Sequence, residues 1–243
     1  TLLASMTDEV AEHVLAHNYA QTAALSLAEH CARADHDALE RLMLELEARD
    51  VLDRDVEGLP SSAEMRQRQA DGKPLTRPEL AVLLAWVKIV LFDDLLASDV
   101  PDDPYFQETL RAYFPDALHT YDAPMQAHRL KREIIATVLA NRIIDMGGPV
   151  FLLRLHEQTG RDTASIVAAF ETSCALINAA SLLGDIHALD NRASSACQTG
   201  LQLALCDALA GLTASIALTG QARPIADWLD QLSDPVSRLR KAL

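Results

Sequence analysis

The sequence predicts an all-α protein, a multi-helix bundle around a central hydrophobic helix at about residues 76–97, with no sheet. Three observations predict it. Between Leu80 and Phe92 twelve of thirteen residues are hydrophobic, Lys88 being the exception. Apolar residues elsewhere recur with helical spacing, and no stretch alternates as a half-buried strand does. The punctuation between apolar runs consists of helix caps, namely Ser/Thr/Asp before a run and Gly after it.

Taken in order, Thr7 with Asp8 and Glu9 starts a first helix running to about Arg33. Asp35 starts a second, whose Leu39, Leu42, Met43 and Leu46 form one apolar stripe. Residues 53–74 are polar and carry Gly58, Pro60, Gly72 and Pro74, with a short helix expected after the Ser61/Glu64 capping box. The expected domains are therefore N-terminal helices over 1–57, a linker with a short helix over 58–75, and a main bundle over 76–243. Thr76 and Glu79 form a second capping box, with Leu75 and Leu80 at the staple positions, so the central helix starts there. Its apolar run is too short for a bilayer, which needs about 20 residues. A helix apolar on nearly every face must be surrounded by other elements. Asp103 before Pro104 caps the next turn, and a long helix is expected from near Pro124 to Gly147 and Gly148. Pro149 opens another that stops near Gly160, Asp162 caps one more, and "LDNRASSACQTG" breaks the pattern before a helix rich in small residues.

Composition bounds the function. In 243 residues, 49% hydrophobic and 23% charged content belongs to an ordinary folded chain, and a net charge of −14 disfavours nucleic acid and anionic membranes as partners. Cys31, Cys174, Cys197 and Cys206 form no C-x-x-C pair and read as small buried hydrophobes in a reducing compartment, hence an expected cytoplasmic location. The opening "TLLASMTDEVAEHV" has neither an initiator Met nor the character of a signal peptide, so the expectation is of a stretch cut from something longer.

Candidate chemistry is thin. Lys88 shares a stripe with Arg77 and Ala81, so its stem can follow the core edge while the ammonium reaches water or a carboxylate on a neighbouring helix; the alternative is a desolvated base or Schiff-base former. His13 and His17, with Glu9 one turn earlier, offer half of a metal site. Arg129, Lys131 and Arg132 read as a solvated basic face. Gly147-Gly148-Pro149 reads as a helix stop and start rather than an anion nest. Phosphate-binding glycine motifs and G-x-S-x-G are missing. Ala196, Gly200, Ala204 and Ala208 recur every four residues, a strip suited to close helix packing inside the bundle or against another subunit; Gln198, Gln202 and Asp207 argue against lipid. No residue is assigned a catalytic, cofactor-binding or metal-ligating role.

Three strings, "LTRPELAVLLAWVKIVLFDDLLASDVPDDPYF", "AHRLKREIIATVLANRIIDMGGPVFLLRLHEQTG" and "ALDNR", resemble the C-terminal region of the large bacterial NAD-specific glutamate dehydrogenases, most specifically over residues 74–160. The opening "LLASMTDEVAEHVLAHNYAQTAALSLAE" is similar to the segment after that family's catalytic domain. The resemblance implies oxidative deamination of L-glutamate to 2-oxoglutarate and ammonia with NAD, by a cytoplasmic homo-oligomer involved in amino-acid catabolism. The family's dinucleotide-binding fold and its catalytic lysine and aspartate lie upstream of the matching region, so none maps to a residue here. What is implied for this stretch is a non-catalytic helical domain without a cofactor of its own, serving packing against the catalytic domain, assembly or regulation. The alternative is a self-sufficient helical enzyme or metal-binding protein using Lys88 or His13/His17.

Overall fold

The computed structural model describes the backbone of residues 2–220 and 223–242 and the side chains of residues 6–220 and 223–234. Every regular element among the described residues is helical, as the sequence predicts.

The first helix, α1 (Leu2–Cys31), begins a full turn before Thr7, because Leu2, Leu3, Ala4 and Met6 are all good helix formers and no cap intervenes. Its first half stands largely in solvent; only from Ala24 onward does it bury Ala24, Leu27 and Ala28. The next helix, α2 (His36–Ala48), buries the expected stripe Leu39, Leu42, Met43 and Leu46. The segment beyond holds α3 (Arg54–Glu57), capped by Asp53 and closed by Gly58 at φ +67°, and α4 (Ser62–Ala70), whose Ser61/Glu64 capping box forms. Leu52, Leu59, Met65 and Leu75 from this polar stretch enter the main core. Arg54 is itself buried, paired with Glu40 and Glu47 at 2.9 Å each and donating to the Pro60 carbonyl. It holds the segment against α2.

Helix α5 (Arg77–Leu96) starts where Glu79 reaches back to accept from the backbone N–H of Thr76 at 2.6 Å. It buries Leu80, Leu83, Leu84, Val87, Val90, Leu91 and Leu95 against α1 and two helices that follow, while Ala81, Ala85 and Ile89 face outward. Its enclosure is therefore three-sided. The chain then makes 3-10 turns at Val100–Asp102 and Pro104–Phe106, with Asp103 capping the second, and continues into α6 (Gln107–Tyr113).

The single helix expected from Pro124 is broken. A 3-10 turn (Asp116–Tyr121) leads to the short α7 (Asp122–Gln126), and α8 (Lys131–Gly147) starts afresh. The cause is local: His128 Nδ1 accepts from the backbone N–H of Leu130, a side-chain bond that competes with helix continuation. At its far end α8 meets α9 (Phe151–Thr159) at 88°. A Cβ on Gly147 would stand 2.3 Å from the Phe151 ring, so only glycine permits that corner.

Asp162 caps α10 (Thr163–Ile177) through the Ser165 N–H at 2.8 Å. A second unexpected break follows at Asn178, whose left-handed φ of +55° turns the chain by 67° into α11 (Ala179–His187). Asparagine is among the few residues that tolerate this conformation. Ser194 caps α12 (Ser195–Leu218), and α13 (Ile225–Ala242) ends the fold. One continuous core runs from Ala28 to Ile225, with α10 crossing α12, α13 and α5 at its middle.

Candidate functional site

The expected interior seam of α12 lies outside. Ala196, Gly200, Ala204 and Ala208 are exposed, and a Cβ added to Gly200 or Gly211 would meet nothing within 4 Å. The reason is energetic. The inward face of α12 carries Leu205, Leu209 and Ile216, and burying these gains about 1.5 to 3 kcal/mol each, far more than burying alanine or glycine. That competing leucine stripe was present in the sequence. Before Leu205 no residue of α12 is buried, and its first half leans on α11 through half-buried Gln198 and Gln202, which bond the Ile186 carbonyl and His187.

The first turn of α12 touches the middle of α1. The Gln198 side-chain amide donates to the Tyr19 hydroxyl at 3.3 Å, and the Tyr19 ring packs edge-on against His187 at 4.8 Å. Beside this contact α12 exposes Leu201 (41%) and the small-residue strip, while α1 exposes Val14 (53%) and Leu15 (67%) among the polar side chains Glu12, His13 and His17. Among the described residues, α12 is the one helix that is by itself long and apolar enough to cross a membrane, and a third of its most apolar 18-residue stretch is buried in protein. Two helix pairs, α8 with α9 and α10 with α11, pass the same length-and-composition test only when each bent pair is taken together.

Lys88 meets a carboxylate from a neighbouring helix. Its Nζ donates to Asp145 Oδ1 at 2.6 Å, both side chains being more than four-fifths buried, at the base of a cleft of about 280 Å³ between α1, α5 and α8. Burial raises the Asp145 carboxyl above its ordinary value, although Lys88 and His17 pull it back. A second buried pair joins Arg142 on α8 to Glu171 on α10 at 2.5 Å. Glu171 is 1% exposed, its Oε1 has no partner among the described residues, and burial raises its carboxyl despite the guanidinium beside it. Neither Asp145 nor Glu171 stood out as a partner in the sequence, though a lone glutamate in "SIVAAFETSCALI" was a visible anomaly.

His13 and His17 are both exposed, and the Glu9 carboxylate is occupied, accepting the Asp116 backbone N–H at 2.9 Å. Among the described residues no three His, Cys, Asp or Glu side chains are gathered for a metal. Of the basic cluster, Arg132 is structural: it pairs with Asp102 and donates to the carbonyls of Leu96 and Ser98, closing the C-terminal end of α5. The cysteines are unpaired. Burial pushes the thiols of Cys31 up to about 11 and Cys206 up to about 12, and Cys174 higher still, which keeps them protonated. The buried expectation is met only in part: Cys31, Cys174 and Cys206 are half-buried, and Cys197 is exposed on α12.

A family profile described as "Glutamate dehydrogenase, C-terminal" matches residues 72–243. The chain belongs to the glutamate dehydrogenase C-terminal family. Relatives of this glutamate dehydrogenase C-terminal region include the NAD-specific glutamate dehydrogenase of Halomonas elongata, 44% identical over 205 residues, covering 84% of this chain and 13% of that protein. That of Pseudomonas aeruginosa is 45% identical over 170 residues, covering 70% of this chain and 10% of that protein. That of Mycobacterium tuberculosis is 38% identical over 160 residues, or 65% and 10%. The chain thus spans 10% to 13% of the length of these relatives. The match begins in the segment between α4 and α5, just before the capping box at Thr76.

Proposed function

We propose that this chain is the non-catalytic C-terminal helical part of a cytoplasmic, NAD-dependent glutamate dehydrogenase, and that it packs on the catalytic part of the same polypeptide. The parent reaction is oxidative deamination of L-glutamate to 2-oxoglutarate and ammonia. The observation that carries the docking role is the outer face of α12 beside α1, which is lined by small residues and uncovered among the described residues. Small side chains let a partner helix approach closely. On this reading residues 76–243 form the main bundle, residues 58–75 connect it to the helices of 1–57, and the projecting half of α1 leads toward the catalytic part. Assembly of the parent into a homo-oligomer, or regulation of it, would act through the same face.

A Rossmann-type dinucleotide site is built from a strand, a glycine turn and a helix N-terminus, and the described residues contain no strand, so this reading puts the parent's NAD site in another part of the polypeptide. No step of the reaction is assigned to this chain. Calorimetric titration of the chain with NAD and with L-glutamate should give no binding heat, and micromolar affinity for either would overturn the reading. Placing glutamate at Gly200 or Ala204 should leave the chain folded but weaken its association with the remainder of the parent polypeptide in a pull-down; undiminished association would remove the α1/α12 face from the proposal.

A further inference from the structure

The structure contains a second feature that the docking role does not use. A cleft of about 680 Å³ opens between the 3-10 turn Val100–Asp102, the first half of α10, the end of α12 and the start of α13. This is within the 300–1,000 Å³ typical of small-molecule sites. One wall is apolar, formed by Ile216, Ala217 and the nearly buried Trp228.

Two guanidinium groups line it, and neither is in an ion pair among the described residues. Arg161 leaves its Nε buried without an acceptor. Its guanidinium lies over Gly220, where an added Cβ would sit 2.6 Å from Nη2 at a backbone φ of +75°, so the glycine makes room for the arginine. Arg223 sits over the Trp228 ring at 5.1 Å and donates to the Gln231 side-chain oxygen at 2.5 Å. The two arginines thus share one cleft with their charges uncompensated by an ion pair, in a chain of net charge −14.

The aspartates of the same cleft are mostly engaged elsewhere. Asp102 pairs with Arg132, and Asp103 accepts the backbone N–H groups of Tyr105 and Ile225. Asp99 stands exposed at the rim. Their charge opposes entry of multiply charged anions such as phosphates, whereas a single carboxylate can take paired hydrogen bonds from a guanidinium.

We infer that this cleft binds a small monocarboxylate carrying an apolar or aromatic group, its carboxylate held by Arg161 and Arg223 and its hydrocarbon set against Trp228 and Ile216. The inference is independent of the dehydrogenase reading, since it concerns this chain's own residues.

The probe is hydrocinnamate, titrated by calorimetry and by Trp228 fluorescence in a Trp86→Phe background, which leaves Trp228 as the sole tryptophan. Saturable binding is expected, weakened on the order of tenfold in Arg161→Gln and again in Arg223→Gln, the loss of one charge-assisted hydrogen bond each. Phenethylamine, with the same ring and the opposite charge, should not bind, and inorganic phosphate should not compete. No saturable binding below about 10 mM overturns the inference. So does unchanged affinity in both arginine variants, or equal competition by phosphate, which would mark a general anion patch. Circular dichroism identifies a variant that fails to fold, and the other arginine then carries the test.

Discussion

Helices α5 and α12 are both long and similarly apolar on average, yet they are used differently. In α5 the large side chains occupy most of the circumference, so three neighbours enclose it and its open strip is the narrow line of Ala81, Ala85 and Ile89. In α12 the large residues are concentrated on one side and after Leu205, so the first half and the whole small-residue strip are left outside. How the large residues are placed around and along a helix, rather than average hydrophobicity, decides how many of its sides are covered.

Truncation tests this most strongly. Leu83→Ala in α5 and Leu209→Ala in α12 should each cost about 2 to 5 kcal/mol in urea unfolding, since both leucines are essentially inaccessible. A loss below about 1 kcal/mol at Leu209 would mean that α12 is not anchored as described.

The two buried ion pairs sharpen the comparison at the next level. Glu171 has its carboxyl raised by burial, so folding favours its protonated form. The associated stability is fully present below the ordinary glutamate range and is lost as pH rises through the raised value. In Glu171→Gln that loss disappears. The variant should gain on the wild type as pH rises from about 4 to 8 in urea midpoints, whereas a constant difference would exclude this origin.

The smallest expected effect is opposite in sign to the truncations. Gly200→Ala on the open face of α12 should stabilise the chain by about 0.5 to 1 kcal/mol, because alanine is the better helix former and the added methyl meets nothing. A destabilisation, read in the same urea titration, would mean that the strip is covered when the chain stands alone.

Local chemistry was legible in the sequence. The capping boxes at Ser61 and Thr76, the caps at Asp103 and Asp162, and the glycine corner after Ile144 all form where spacing placed them. Breaks made by a single side chain were not: His128 and Asn178 interrupt runs whose apolar period continues across them. The outward turn of α12 was missed because two stripes on one helix competed, and choosing between them requires knowing which has neighbours. The partners of Lys88 and Arg142 lie 57 and 29 residues away, and spacing carries no information over such distances. The arginine-lined cleft was invisible for the same reason, since it draws on four separate elements.

The corner between α8 and α9 carries a consequence of its own. Because the Phe151 ring fills the room that any methyl at position 147 would need, these two positions cannot drift separately. Trimming the ring removes only part of the clash, because the Phe151 Cβ would itself stand 2.7 Å from a methyl at 147, so a paired-substitution cycle of Gly147→Ala with Phe151→Ala should show partial, non-additive rescue. The bend is thereby a mutual lock, and a chain that loses one half of it must reinvent the other.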